Sequence, residues 1–167
     1  MSGVEAKGLL RTMTAGDVAD VLAIQEPGAV RALADVFPQD TYPFPREVLA
    51  ERWRGEIEGP AIDCFVVVVD DVVSGFAAIR GDEFFHFGTA VQQWGTGLAT
   101  RAHDAVLARI EGKGFRRAWA NVYVGNPRAR RFYEKLGWHA TGVRSRGPVP
   151  PHAAMLRYER DLGGPTR

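Results

Sequence analysis

Hydrophobic positions recur at helical spacing in four stretches of the chain and crowd into short β-branched or alternating runs in six others. Thr14-Ala15-Gly16-Asp17 is a capping-box-like start. Behind it, Val18, Val21, Leu22 and Gln25 trace one side of a helix expected from about residue 15 to the Pro27-Gly28 break or beyond. Residues 29–36 either prolong that helix or add a turn, and Pro38, Pro43 and Pro45 then forbid regular structure. Val48, Leu49, Trp53 and Ile57 mark a second helix, closed by Gly59-Pro60.

The period then changes. Cys64 to Val69 and Val72 to Ile79, separated by Asp70-Asp71, read as a hairpin, and Glu83 to Thr89 as a third strand. A helix is expected from about Gly97 to Glu111, with Leu98, Ala102, Ala105, Val106 and Ile110 on its apolar side and Gly112-Lys113-Gly114 at its end. After a strand over Arg117 to Val124, Asn126 caps a short helix with Pro127 at its first position and Gly137 just past its end. Ala129, Phe132, Tyr133 and Leu136 form its buried stripe. Two further strands, Trp138 to Val143 and Ala153 to Leu162, flank a loop rich in proline and arginine. Hairpins mixed with one crossover predict a mixed sheet with helices on both faces.

A chain of 167 residues with 46% hydrophobic and 25% charged positions has the usage of one globular domain, not of a disordered chain. No apolar run approaches the ~18 residues of a membrane span, and the first seven residues lack a signal-like apolar core, so the expected location is the cytoplasm. Cys64 is the only cysteine and four scattered histidines complete no metal-ligand cluster, so no metal is expected. The net charge of +1 hides an asymmetry: residues 1–83 hold 15 acidic against 7 basic side chains, and residues 84–167 hold 5 against 14. Such a split fits a cationic ligand on one surface and a phosphate-bearing ligand on another, or merely an uneven solvated surface.

Gln92-Gln93-Trp94-Gly95-Thr96-Gly97 ends a strand and opens a helix, where freed backbone amides bind phosphate if small residues let it approach. The segment is not a dinucleotide fingerprint, because threonine stands at the third glycine position, and it is not a P-loop. Two glycines alone read equally well as a tight turn.

Together, Gln92-x-x-Gly95-x-Gly97 at the head of a long helix and Asn126-x-x-Ala129-x-x-x-Tyr133-x-x-Leu136-Gly137-Trp138 after the next strand are more specific. They resemble the signature motifs of the GNAT superfamily of acetyl-CoA-dependent N-acetyltransferases. The resemblance spans roughly residues 9–162, implying a single domain there, an N-terminal extension over 1–8 and a tail over 163–167. It implies an α/β (α+β) fold whose mixed, mostly antiparallel central sheet has about six to seven strands and helices on both faces. Phe87-Gly88-Thr89 departs from the family's frequent Val-x-Pro, and Gly88 is expected to loosen that strand end.

Carried over residue by residue, the resemblance implies that backbone amides of Gly95, Thr96, Gly97, Leu98 and Ala99 hold the coenzyme A pyrophosphate. Gln92, Gln93 and Trp94, with Phe87, Gly88 and Thr89, would flank the pantetheine arm. Asn126 and Arg131 would also bind the coenzyme, and Tyr133 would protonate the departing thiolate. Glu83 shares strand parity with Phe85 and Phe87, the side on which many relatives carry a glutamate acting as base through water, while His86 falls on the opposite, structural side. Direct transfer needs a neutral amine, and an alkylamine of pKa ~10 is only about a thousandth deprotonated at pH 7. The acceptor, a small-molecule or peptide amine, would meet Tyr42, Trp53 and His152.

Each residue also has a plain structural reading: Tyr133 as core, Asn126 as a helix cap, Glu83 as a solvated strand-start acid. An acyl-CoA-binding module without turnover is the alternative of the same fold. A nucleic-acid role for the arginines lacks interleaved exposed aromatics, and a membrane partner lacks any apolar span. The resemblance leaves room for a homodimer.

Overall fold

The computed structural model describes residues 8–163. Apart from Gly8 and Gly163, the expected extension and tail lie outside these residues. In chain order the elements are β1 (Leu10–Thr12), α1 (Val18–Ala32), α2 (Arg46–Glu58), β2 (Asp63–Val69), β3 (Val72–Arg80), β4 (Glu83–Thr89), α3 (Leu98–Gly112), β5 (Arg117–Tyr123), α4 (Pro127–Lys135), β6 (His139–Arg146) and β7 (Ala154–Asp161). The strands form one sheet in the order β1-β2-β3-β4-β5-β7-β6. Every neighbouring pair is antiparallel except β4 and β5, which gives the mixed, mostly antiparallel sheet the sequence predicts.

Helices cover both faces because β2 and β3 are apolar on both. Phe65, Val67, Ala77 and Ile79 pack under α3 with Leu98, Ala102, Val106 and Ile110. Cys64, Val66, Phe76 and Ala78 pack on the other face against Val18, Val21 and Leu22 of α1 and Ala50 and Trp53 of α2. A strand buried on both sides shows a continuous apolar run rather than alternation. Leu98, Val106 and Ile110 are fully buried, each burial favouring the fold by about 1.5–3 kcal/mol. The first turn of α3 is thereby pinned to the sheet.

Three local features depart from the sequence pattern, and the extent of α1, left open by it, takes the longer form. β1 was not expected: three residues are too few to show alternation, and pairing with β2 specifies it, Leu10 facing Val67. Pro27 does not end α1, which continues to Ala32. Its fixed φ is helical, so the chain forgoes one hydrogen bond to Ala23 and carries on. Val48 is exposed, the buried side of α2 being Ala50 and Trp53. Finally, the β3–β4 register shifts: Ala78 faces His86 but Ile79 faces Phe84, so Phe85 is an extra, bulged residue.

The Asp70-Asp71 turn has φ of 51° and 63° at its two residues, the left-handed pair of a two-residue hairpin loop. At the centre of the sheet β4 and β5 share a single registered pair, Glu83 with Trp119. Beyond it they part, and β5 pairs along its length with β7 instead.

Candidate active site

The parting of β4 and β5 opens a cavity of about 690 Å³ between α1, β4, β5 and α4. The Ala90 amide donates to the Ser74 carbonyl at 2.9 Å, and backbone groups alternate sides along a strand. Phe87 and Thr89 therefore direct their amides and carbonyls away from β3, across the gap. The Thr89 carbonyl accepts from the Trp94 indole at 3.2 Å; the other three groups face the opening. Gly88 does not loosen this strand end. Its missing Cβ is the space taken by the Phe76 ring, whose Cζ would lie 2.5 Å from any Cβ there.

At the head of α3, Gly95 and Gly97 have φ of +83° and +89°, a conformation that favours glycine. Both are exposed, and a Cβ at either would meet nothing within 4 Å. The glycines thus serve the backbone turn. Thr96 stiffens it, its hydroxyl donating to the Gln93 carbonyl at 2.6 Å and accepting from the Leu98 amide at 3.3 Å. The Leu98 side chain points into the core. Amides of Gly95, Gly97 and Ala99 have no carbonyl partner within a helix turn. Of this segment, Trp94 and Ala99 line the cavity; exposed Gln92 and half-buried Gln93 do not.

On α4, Asn126 accepts from the Ala129 amide at 3.1 Å and lines the cavity, so capping and binding are compatible in one residue. Arg128 and Arg131 also line it, and neither forms an ion pair among the described residues. Arg128 lies 3.7 Å over the Trp94 ring. Burial first, and the neighbouring Arg131 charge second, hold its pKa below the usual guanidinium range. Arg130 instead donates to the Tyr158 hydroxyl at 3.1 Å. Tyr133 is buried among Phe84, Phe132 and Trp138. Its side chain reaches the cavity, its hydroxyl has no hydrogen-bond partner among the described residues, and burial pushes its pKa well above the ordinary phenol range.

The strand-parity argument for Glu83 fails at the bulge. Phe85 being extra, Phe84 and Phe87 share the α3 face, their rings 5.1 Å apart, while Phe85 and His86 stack together at 4.0 Å on the α2 side. Glu83 lies outside the cavity, 4% exposed, bound to Arg80 at 2.8 Å. His86 takes the place in the cavity wall that sequence reading withheld from it. Its Nε2 lies 2.9 Å from Glu56 Oε1, and Glu56 Oε2 accepts from Arg52 Nε at 3.0 Å. A carboxylate only accepts, so the neutral ring carries its proton on Nε2 and leaves Nδ1 as a lone pair. Burial alone would raise the Glu56 pKa, but His86 and then Arg52 outweigh it and hold the carboxyl below its usual range. Helical spacing shows Arg52 and Glu56 as a pair, and strand alternation sets His86 opposite Phe87; nothing in the sequence shows that His86 meets that pair from another segment.

The expected acceptor residues are not brought together. Trp53 is 3% exposed in the core behind the cavity, donating to Gln25 at 2.9 Å. The wall residues are Gln25 and Phe76, against which it packs. Tyr42 and His152 lie outside the lining, His152 being exposed and bonded to the Gly147 carbonyl at 2.9 Å. Among the described residues no histidine, cysteine or carboxylate cluster suits a metal, and no helix is long and apolar enough to cross a membrane.

A cleft between parted parallel strands, faced by a glycine-turned helix start and a short asparagine-capped helix, defines a class of acyl-group transferases. The sequence pattern of the Acetyltransferase (GNAT) family matches residues 29–138, and the chain belongs to that family. Solved structures share the fold at low identity. A GCN5-related N-acetyltransferase from Rhodopseudomonas palustris is 18% identical over 92% of this chain and 94% of its own, with a TM-score of 0.71. PaiA N-acetyltransferase from Thermoplasma acidophilum, in complex with coenzyme A, is 13% identical over 91% and 97%, at 0.72. Spermidine N-acetyltransferase from Vibrio cholerae, in complex with CoA and spermine, is 17% identical over 92% and 94%, at 0.68. No curated protein sequence matches the chain.

Proposed function

We propose that this protein transfers an acetyl group from acetyl-CoA directly to a primary amine of a small molecule or peptide. The observation that carries the reading is the gap itself: unpaired backbone of Phe87 and Thr89 faces a cavity that also receives Tyr133 and His86. The pantetheine arm, with its own amides, fits beside β4 as an added strand. Amides of Gly95, Gly97 and Ala99 suit the pyrophosphate, and unpaired Arg128 and Arg131 suit its charge.

In the transfer, the amine nitrogen attacks the thioester carbonyl, the N–C bond forms and the C–S bond breaks. His86 Nδ1 takes the amine proton, and the Glu56 carboxylate holds the resulting imidazolium. The Tyr133 hydroxyl supplies a proton to the departing sulfur; its raised pKa keeps it protonated until thiolate develops. An amide on the open edge of β4 offers the oxyanion a donor.

The test is coenzyme thiol release with a panel of amines. Tyr133→Phe should lower kcat by about 10²-fold with little change in acetyl-CoA Kd, as loss of a general acid requires. His86→Gln should depress kcat/KM at neutral pH and recover as pH nears the amine's own pKa. Acetyl-CoA binding with no transfer to any amine would turn the reading into a binding module, and a wild-type kcat in Tyr133→Phe would return that residue to the core.

A further inference from the structure

We infer that the acceptor is an amine with a single positive charge on a flat apolar body, an aralkylamine, and that polyamines are excluded. This inference rests on the transferase reading and concerns the α1 side of its cavity. There the wall is built from Ile24, Leu33, Phe76, Phe85 and Tyr123. These rings and alkyl groups stack on an aromatic body, whereas a chain of ammonium groups would find ring faces but no carboxylate here.

The charge pattern points the same way. Among the described residues no aspartate or glutamate lines the cavity, and its charged lining residues, Arg128, Arg131 and Lys135, are all cationic. The carboxylate behind His86, Glu56, already spends one oxygen on His86 and the other on Arg52. Arg52 adds positive charge at this end: its guanidinium sits 5.4 Å over the Phe85 ring and its field reaches Tyr123. Residues 1–83 hold more acid than base, but among the described residues none of that acid lines the cavity, and Asp17, Glu26 and Glu83 are held by Arg11, Arg46 and Arg80. A first amine enters neutral, its ammonium proton left to bulk water, so that His86 Nδ1 stays free for the proton released in the transfer. A second ammonium would stay charged in the cavity with no carboxylate partner, which is disfavoured. That separates this chain from the fold relative that holds spermine.

The experiment compares kcat/KM of the full-length protein for phenethylamine, tryptamine, spermidine and an alanine-starting peptide at saturating acetyl-CoA. The aralkylamines should exceed spermidine by about 100-fold or more, the scale on which a site rejects a group it leaves unpaired. Leu33→Glu, which places a carboxylate on the apolar wall, should narrow that ratio at least tenfold. Spermidine equal to or better than the aralkylamines, or a clear preference for the peptide, overturns the inference while leaving acetyl transfer standing. Turnover with none of them overturns both.

Discussion

Alanine in place of Gly88 puts a methyl group where the Phe76 ring already lies. A Cβ at that position falls 2.5 Å from Phe76 Cζ and 2.8 Å from Cε1, whereas carbon atoms rest about 3.5–4.0 Å apart. The ring must withdraw by about 1 Å. Phe76 is 7% exposed and can yield only toward the cavity it lines or against Trp53, which it meets edge-on at 5.7 Å, and either move breaks its packing. Trp53 is fixed in turn by its 2.9 Å hydrogen bond to Gln25. Overpacking of such a site costs about 1–3 kcal/mol, and a chain of this size loses about 2–4 °C of Tm per kcal/mol. Thermal and urea unfolding of Gly88→Ala should show a fall of about 3–10 °C. The control is Phe76→Leu, which removes the ring atoms that clash. The double variant should be less destabilised than the sum of the singles by at least about 1 kcal/mol, a coupling expected of residues in contact. Additive losses, or a Gly88→Ala Tm within about 1 °C of wild type, would refute the reasoning.

Burial, then the Glu56 and Asp63 charges, pushes the Cys64 thiol up to about 12. Iodoacetamide at pH 8 should therefore leave the folded protein unlabelled while modifying the urea-unfolded chain, and rapid native labelling would contradict the packing. His103 is fully buried, its Nδ1 facing Asp104 at 2.9 Å and its Nε2 accepting from the Trp138 indole at 2.9 Å. Burial, outweighing Asp104, lowers its pKa. The unfolded chain thus binds this proton more readily, so stability should fall as pH drops below the unfolded value near 6.5, by no more than about 1.4 kcal/mol per pH unit. His103→Gln should flatten the urea-stability profile between pH 7.5 and 5.5, and an unchanged slope would refute the assignment. Gly97→Val forces a β-branched residue to a φ of +89°. It should destabilise the protein by about 1–2 kcal/mol and abolish the Tm rise that acetyl-CoA gives the wild type; an undiminished rise would remove Gly97 from the coenzyme site.

The sequence makes the framework legible where one local rule governs. Asn126, Pro127 and Gly137 bracket α4 because capping chemistry is local. Asp70-Asp71 marks a hairpin, and the double-sided apolar run of β2 marks a strand covered by helices on both faces. As a backbone arrangement the candidate site was legible at Phe87 and Thr89, which face the gap, and at Gly95 and Gly97, which turn the head of α3. It was illegible wherever two distant segments decide. A single bulged residue, Phe85, reverses the side on which Glu83 and Phe84 stand relative to Phe87, and no count along the strand reveals it. Trp53 has the amphipathic character of a ligand-stacking residue and is instead core, because Gln25 from another helix satisfies its indole. Several acids of the first half pair with arginines of the same half, and among the described residues no carboxylate lines the cavity, so net charge by half misjudges it.

Most sheets keep their vulnerable edges at the rim, where short or charged strands discourage a neighbouring molecule from joining. Here the outer rim is guarded at one end by β1, three residues long. The parting of β4 from β5 creates a second edge in the interior, with donors and acceptors already spaced for an extended guest. On the proposed reading the coenzyme is that guest, a removable strand that seals the sheet each time it binds. The empty form then keeps an unfilled edge inside the sheet, and binding of the coenzyme closes it.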